Sequence, residues 1–138
     1  MGRPLGVSGK MDVMPVQLNH TIVMATDRDR SADFLVDLLG LAPAATYGPF
    51  RVVALANGVS LDVVRADGPI RTQHYAFLVT EDEFDQIWTR IRDRGLTFWA
   101  DPFHSRPDEI NHNDGGRGLY WDDLDGHNLE IITRPYGG

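Results

Sequence analysis

The chain has 138 residues, 42% hydrophobic and 24% charged, the make-up of one soluble globular domain with a sizeable core. Its formal net charge of −7, with arginines scattered rather than striped, argues against a nucleic-acid or anionic-membrane partner. The absence of cysteine excludes disulfides, thiolate metal ligands and a cysteine nucleophile.

Residues 1–15, MGRPLGVSGKMDVMP, lack the apolar core of a secretory signal and read as a flexible arm. No apolar stretch approaches the roughly 20 residues of a membrane span, so the expected location is the cytoplasm. From residue 16 to 138 a single domain is expected, built of a module at 16–66 and a module at 71–135. LNHTIVMA (18–25) reads as a strand, and Thr26 or Asp27 can cap the following helix. Phe34, Leu35, Leu38 and Leu39 give that helix one apolar stripe, and Gly40 supplies its stop. FRVVALA (50–56) and GVSLDVV (58–64) follow as strands.

The pattern then repeats. QHYAFLV (73–79) reads as a strand, and Thr80 with Glu83 makes a capping box. Phe84, Ile87, Trp88 and Ile91 form the i, i+3, i+4, i+7 stripe of a second helix ended by Gly95. RGLYWDD (117–123) and GHNLEII (126–132) close the half as strands. His20 and His74 each begin an H-x5-T stretch, and Asp62 in the first half matches Glu130 in the second. Each half thus reads strand, helix, three strands, an α+β chain of two βαβββ modules. The second half is longer mainly in the loop region between Asp101 and Gly116.

Glu130 interrupts an apolar strand, where an unpaired carboxylate is expensive and a cationic partner is required. If the modules pair their sheets, His20, His74 and Glu130 converge on one concave face. Two imidazoles and a carboxylate there form the facial triad that holds a divalent metal with open positions. The bland alternative is a half-buried ion pair of Glu130 with Arg117 or Arg134. Asp62 is a fourth ligand or an outer-shell group that orients one. His127 alternates onto the opposite face beside a turn, where solvent exposure is expected, and His104 reads as a loop residue. Aromatic residues at 47, 50, 98, 99, 103 and 120 are either core or the lining of an apolar pocket.

These residues resemble the vicinal oxygen chelate superfamily, which holds glyoxalases, bleomycin-binding proteins, fosfomycin-resistance transferases, methylmalonyl-CoA epimerases and extradiol dioxygenases. The resemblance covers nearly the whole chain from about Val16. It implies that the modules pair into a curved, partly closed, mixed eight-stranded sheet with helices outside, and that His20, His74 and Glu130 are the metal ligands. The stretch INHNDGGRGLYWDDLDGHNLE (110–130) looks like the extradiol ring-cleavage signature at His112, Leu119, Tyr120, Asp123, Gly126 and Glu130, with Leu124 where proline is expected. By that likeness His112 is the acid/base and Tyr120 the hydrogen-bond donor to a metal-bound substrate oxygen.

The resemblance therefore implies an Fe(II)-dependent extradiol-type dioxygenase acting on a small catechol-like aromatic, with a homodimer as the expected assembly. An acidic residue on the strand of Asp62 also serves the glyoxalase branch as a metal ligand. That leaves open a lyase, isomerase or fosfomycin-type thiol transferase using Mn, Ni, Zn or Co. A non-enzymatic binding protein of the bleomycin-resistance kind is the third alternative.

Overall fold

The computed structural model describes residues 15–136. The expected arm at 1–15 lies outside them apart from Pro15. The first half forms β1 (His20–Ala25), α1 (Arg28–Leu39), β2 (Ala45–Tyr47), β3 (Phe50–Ala54) and β4 (Ser60–Arg65). Its four strands run β1-β4-β3-β2 across one sheet, with β1 parallel to β4 and the other pairs antiparallel. The second half forms β5 (His74–Leu78), α2 (Glu81–Asp93), β6 (Gly118–Asp122) and β7 (Asn128–Ile132). Here the order is β5-β7-β6, with β5 parallel to β7 and β6 antiparallel to it.

Local chemistry explains the helix ends. Asp27 caps α1 by accepting from the Arg30 N–H, and Gly40 closes it in the left-handed region at φ 70°. A side chain at Gly40 would press within 2.8 Å of the Arg90 guanidinium. That guanidinium donates to the Leu38 carbonyl at 3.0 Å, a cation on the negative end of α1 that ties it to α2. Thr80 and Glu83 make the reciprocal capping box of α2.

The α+β architecture and paired modules appear as expected, with one difference. Among the described residues, seven strands form two separate mixed sheets, of four and three strands, rather than eight strands in one partly closed sheet. The missing strand falls at 97–116, where Trp99 makes only isolated bridges to Pro107 and Tyr120. Pro102 and Pro107 withdraw ladder donors there. The Asp101 carboxylate takes the N–H groups of Ser105 and Arg106, closing a loop where a strand would run.

One core joins both halves, with Val23, Leu35, Leu38, Val63, Phe84, Ile87, Ile91, Trp121 and Ile131 all buried. In both sheets the odd-numbered positions of the central strands, Leu61 and Val63, Leu129 and Ile131, face the helices. Their neighbours Ser60, Asp62, Asn128 and Glu130 turn to the helix-free side. His127, expected at the surface, is instead 1% exposed. Its Nδ1 accepts from the Gln73 N–H at 2.9 Å and its Nε2 donates to the Met24 carbonyl at 2.8 Å. It is a neutral bridge between the modules, and both of its nitrogens are satisfied.

Candidate metal centre

On the helix-free face of the smaller sheet, pairing sets Glu130 between Ala76 of β5 and Tyr120 of β6, and sets Asn128 opposite His74. The Glu130 side chain is almost wholly removed from solvent. His74 Nε2 lies 3.1 Å from its Oε1. The Tyr136 hydroxyl lies 2.8 and 2.9 Å from its two oxygens. The His74 ring stacks on Tyr120 with centroids 6.0 Å apart. Arg117 is no partner for Glu130, because it is held at 2.8 Å by both Glu81 and Asp85 of α2. Among the described residues, the ion-pair partner of Glu130 is His74.

The hydrogen bonds fix the state of that imidazole. His74 Nδ1 is 2.9 Å from the Asn128 carbonyl, which can only accept, so Nδ1 carries a hydrogen. Nε2 then turns its remaining position toward a carboxylate oxygen. A proton or a cation must lie between the two, since a lone pair facing a buried carboxylate would be repulsive. A backbone carbonyl on one ring nitrogen and a free position on the other is the arrangement of a metal-ligating histidine. A divalent ion suits this donor set of one imidazole and one buried carboxylate. Burial, with hydrogen bonds to Tyr136 and Glu130, raises the Tyr120 hydroxyl well above the ordinary phenol range, so Tyr120 stays a neutral donor.

His20 begins β1 on the helix-free side of the larger sheet. Its Nδ1 donates to the Asn19 side-chain oxygen at 2.8 Å, so His20, like His74, spends its Nδ1 hydrogen on a neighbouring oxygen. His20 and His74 line one cleft of about 910 Å³ between the facing edges of β1 and β5, with Leu18, Met24 and Arg71 among its walls. The structure brings His74 and Glu130 together, but His20 does not join them. Among the described residues no three His, Asp or Glu side chains are gathered closely enough to hold a metal. Asp62 sits opposite Ile22 and accepts from the Ser60 hydroxyl at 2.7 Å.

The signature positions divide. Tyr120 is buried beside Glu130, whereas His112 is exposed at the head of a 3-10 turn (Asn113–Gly115) and makes no capping bond. Among the aromatics, Phe98 and Tyr120 are buried while Tyr47 and Phe103 are among the most exposed apolar side chains. Tyr136 was not anticipated. It lies past the last strand, four residues beyond Ile132, where no periodicity marks it. His104 is more than a loop residue. It stacks face to face on Trp99 at 3.6 Å and approaches Asp122 Oδ1 at 3.5 Å.

Two mixed sheets, each with a parallel pair whose first strand opens on a histidine and whose second carries a carboxylate, define a two-module α+β fold. The chain belongs to the Glyoxalase/Bleomycin resistance protein/Dioxygenase superfamily, whose family model matches residues 17–131. Among solved structures it is similar to Oxidase ChaP-H1, at 67% identity and TM-score 0.88, covering 89% of this chain and 99% of that one. Oxidase ChaP-H2 is similar at 64% identity and TM-score 0.88, with 91% and 98% covered. Among curated proteins, the glutathione transferase FosA of Serratia marcescens is 28% identical over 120 residues, 83% of this chain and 78% of that protein. Members of this superfamily include metal-dependent enzymes that act on small molecules. No helix among the described residues is long and apolar enough to cross a membrane.

Proposed function

We propose that this protein is an oxygen-dependent metalloenzyme of extradiol type, acting on a small aromatic with neighbouring oxygens, with the metal held by His20, His74 and Glu130. The observation that carries the reading is the His74–Glu130 pair, a buried carboxylate whose facing imidazole is held in the ligating tautomer. When bound, Fe(II) would supply electron density to dioxygen and a chelation point for two substrate oxygens.

The chain's own groups have defined parts. The Asn128 carbonyl holds the His74 ring, and Tyr136 orients the Glu130 carboxylate. Tyr120, kept neutral by burial, donates a hydrogen bond to a substrate oxygen and steadies charge developing there. The two structures named oxidases, at 64–67% identity, support oxygen chemistry for this chain as well.

His20 reaches the site from a second copy in this account. Within one chain it stays apart from the pair, while the helix-free side of β1 presents Ile22 and Met24 to solvent, 38% and 45% exposed. A dimer that lays this face over the Glu130 face of its partner completes the triad and covers those side chains. The test loads apo-protein anaerobically with Fe(II), adds a panel of catechols and admits oxygen. Oxygen uptake with a coloured ring-fission product is expected; its absence across the panel contradicts the reading.

A thiol-transferase reading has its own support in the curated relatives, the glutathione transferase FosA and a metallothiol transferase FosB at 25% identity. It needs no oxygen. Thiol consumption by the Mn-loaded protein under anaerobic conditions, with fosfomycin as acceptor, would favour it.

A further inference from the structure

A second cluster of ionisable groups lies on the same helix-free face, one step along β6 from Tyr120. Asp122 alternates with Trp121, which is buried toward the helices, and so shares the side of Tyr120 and Glu130. Asp122 faces Asn128, and Asn128 faces His74 on its other flank. Two strand spacings therefore put the Asp122 backbone roughly 10 Å from that of His74, enough for one aromatic ring between them.

His104 is delivered to Asp122 by a loop built for the purpose. Asp101 accepts from the Ser105 and Arg106 N–H groups and from the Ser105 hydroxyl at 2.6 Å. The loop holds His104 at φ 59°, a conformation costly for a residue with a side chain. The ring is pinned flat on Trp99, with planes within 3°. Trp99 in turn exchanges two backbone hydrogen bonds with Tyr120. Three polar atoms in this corner are buried with no hydrogen-bond partner: His104 Nε2, Asp122 Oδ1 and Asn128 Oδ1. The first two face each other at 3.5 Å, too far for a full hydrogen bond, and Asn128 Oδ1, between Asp122 and His74, is left as the orphan that a ligand would satisfy.

Resting on the oxygen-dependent reading above, we infer that His104, with its Nε2 side oriented by Asp122, accepts the substrate hydroxyl proton at Nδ1, the part the signature gives to His112. The substrate O–H bond breaks and an N–H bond forms on the imidazole, leaving an aryloxide and an imidazolium beside the Asp122 carboxylate. The proton returns to the product by the reverse transfer. The 3.5 Å separation of His104 and Asp122 fits a dyad that tightens when substrate arrives. His112, exposed at its turn, has no orienting partner of this kind.

The experiment uses full-length protein loaded anaerobically with Fe(II), and 4-nitrocatechol, whose absorption reports ionisation of its hydroxyls. Stopped-flow mixing measures how fast the bound probe loses its proton. His104→Gln, His104→Phe and Asp122→Asn are expected to slow that step about 100-fold or more at unchanged metal content, while His112→Gln matches the parent protein. His104→Phe keeps the stack on Trp99, so loss in that variant is not loss of packing. Parent-like rates in the His104 variants, or slowing in His112→Gln alone, would overturn the inference. Oxygen uptake by the parent separates the two ideas. A dyad effect without uptake sinks the oxygen-dependent reading only; uptake with unaffected His104 variants sinks the dyad only; a parent that carries metal yet fails to bind the probe contradicts both.

Discussion

His74 and Glu130 stand 56 residues apart in sequence, yet their side chains meet at 3.1 Å because β5 and β7 run side by side. The carboxylate there is buried, and no arginine among the described residues neutralises it. Replacing it with Gln should leave the metal-free fold as stable or more so, since the desolvation of a charge is removed. The same change should lower metal affinity more than the roughly 10–100-fold cost of losing an outer-shell partner. Metal-competition titration and thermal melts of Glu130→Gln read the two effects separately.

Tyr136 touches both oxygens of Glu130 without being a metal ligand in this account. Tyr136→Phe should weaken metal binding about 10-fold and leave metal stoichiometry intact. The same competition titration checks it; unchanged affinity would mean the hydroxyl only fills space.

The buried His127 joins the Gln73 N–H to the Met24 carbonyl. His127→Ala strands both groups inside the protein and should destabilise it by about 2–6 kcal/mol, at roughly 1–3 kcal/mol per unsatisfied group. Urea unfolding at neutral pH measures the loss.

The loop that carries His104 should be acid-sensitive. Hydrogen bonds from Ser105 hold the Asp101 carboxyl below its usual range. For a depressed carboxylate, the stabilising contribution is complete above the unfolded value, near pH 4, and is lost as pH falls through the lower folded value. The stack of His104 on Trp99 should therefore loosen as pH drops below about 4, read as a change in Trp99 fluorescence, and Asp101→Asn should show the changed signal at neutral pH.

Much of this architecture was legible in the chain because local rules and the repeat agree. Asp27, Gly40, Thr80 and Glu83 mark the helix ends that form, and His20, His74, Asp62 and Glu130 fall at matching strand positions. The loop after Asp101 was legible from its length, but the short strand expected between the second helix and that loop does not form, because the Asp101 carboxylate takes the Ser105 and Arg106 N–H groups and leaves Trp99 only isolated bridges. His127 was misplaced for a related reason. Strand alternation gives a face but not whether another module covers it, and here β1 does. The Tyr136 contact depends on how the tail folds back over β7, and no spacing encodes that.

The most direct test is the metal content of dialysed protein after reconstitution with Fe(II) under anaerobic conditions, for the parent chain and for His20→Ala, His74→Ala, Glu130→Ala and His112→Ala. The account predicts about one ion per chain in the parent and in His112→Ala, and essentially none in the other three. Mixing His20→Ala with Glu130→Ala chains should restore part of the binding, because each supplies the half the other lacks. Full metal content in His20→Ala would contradict the triad.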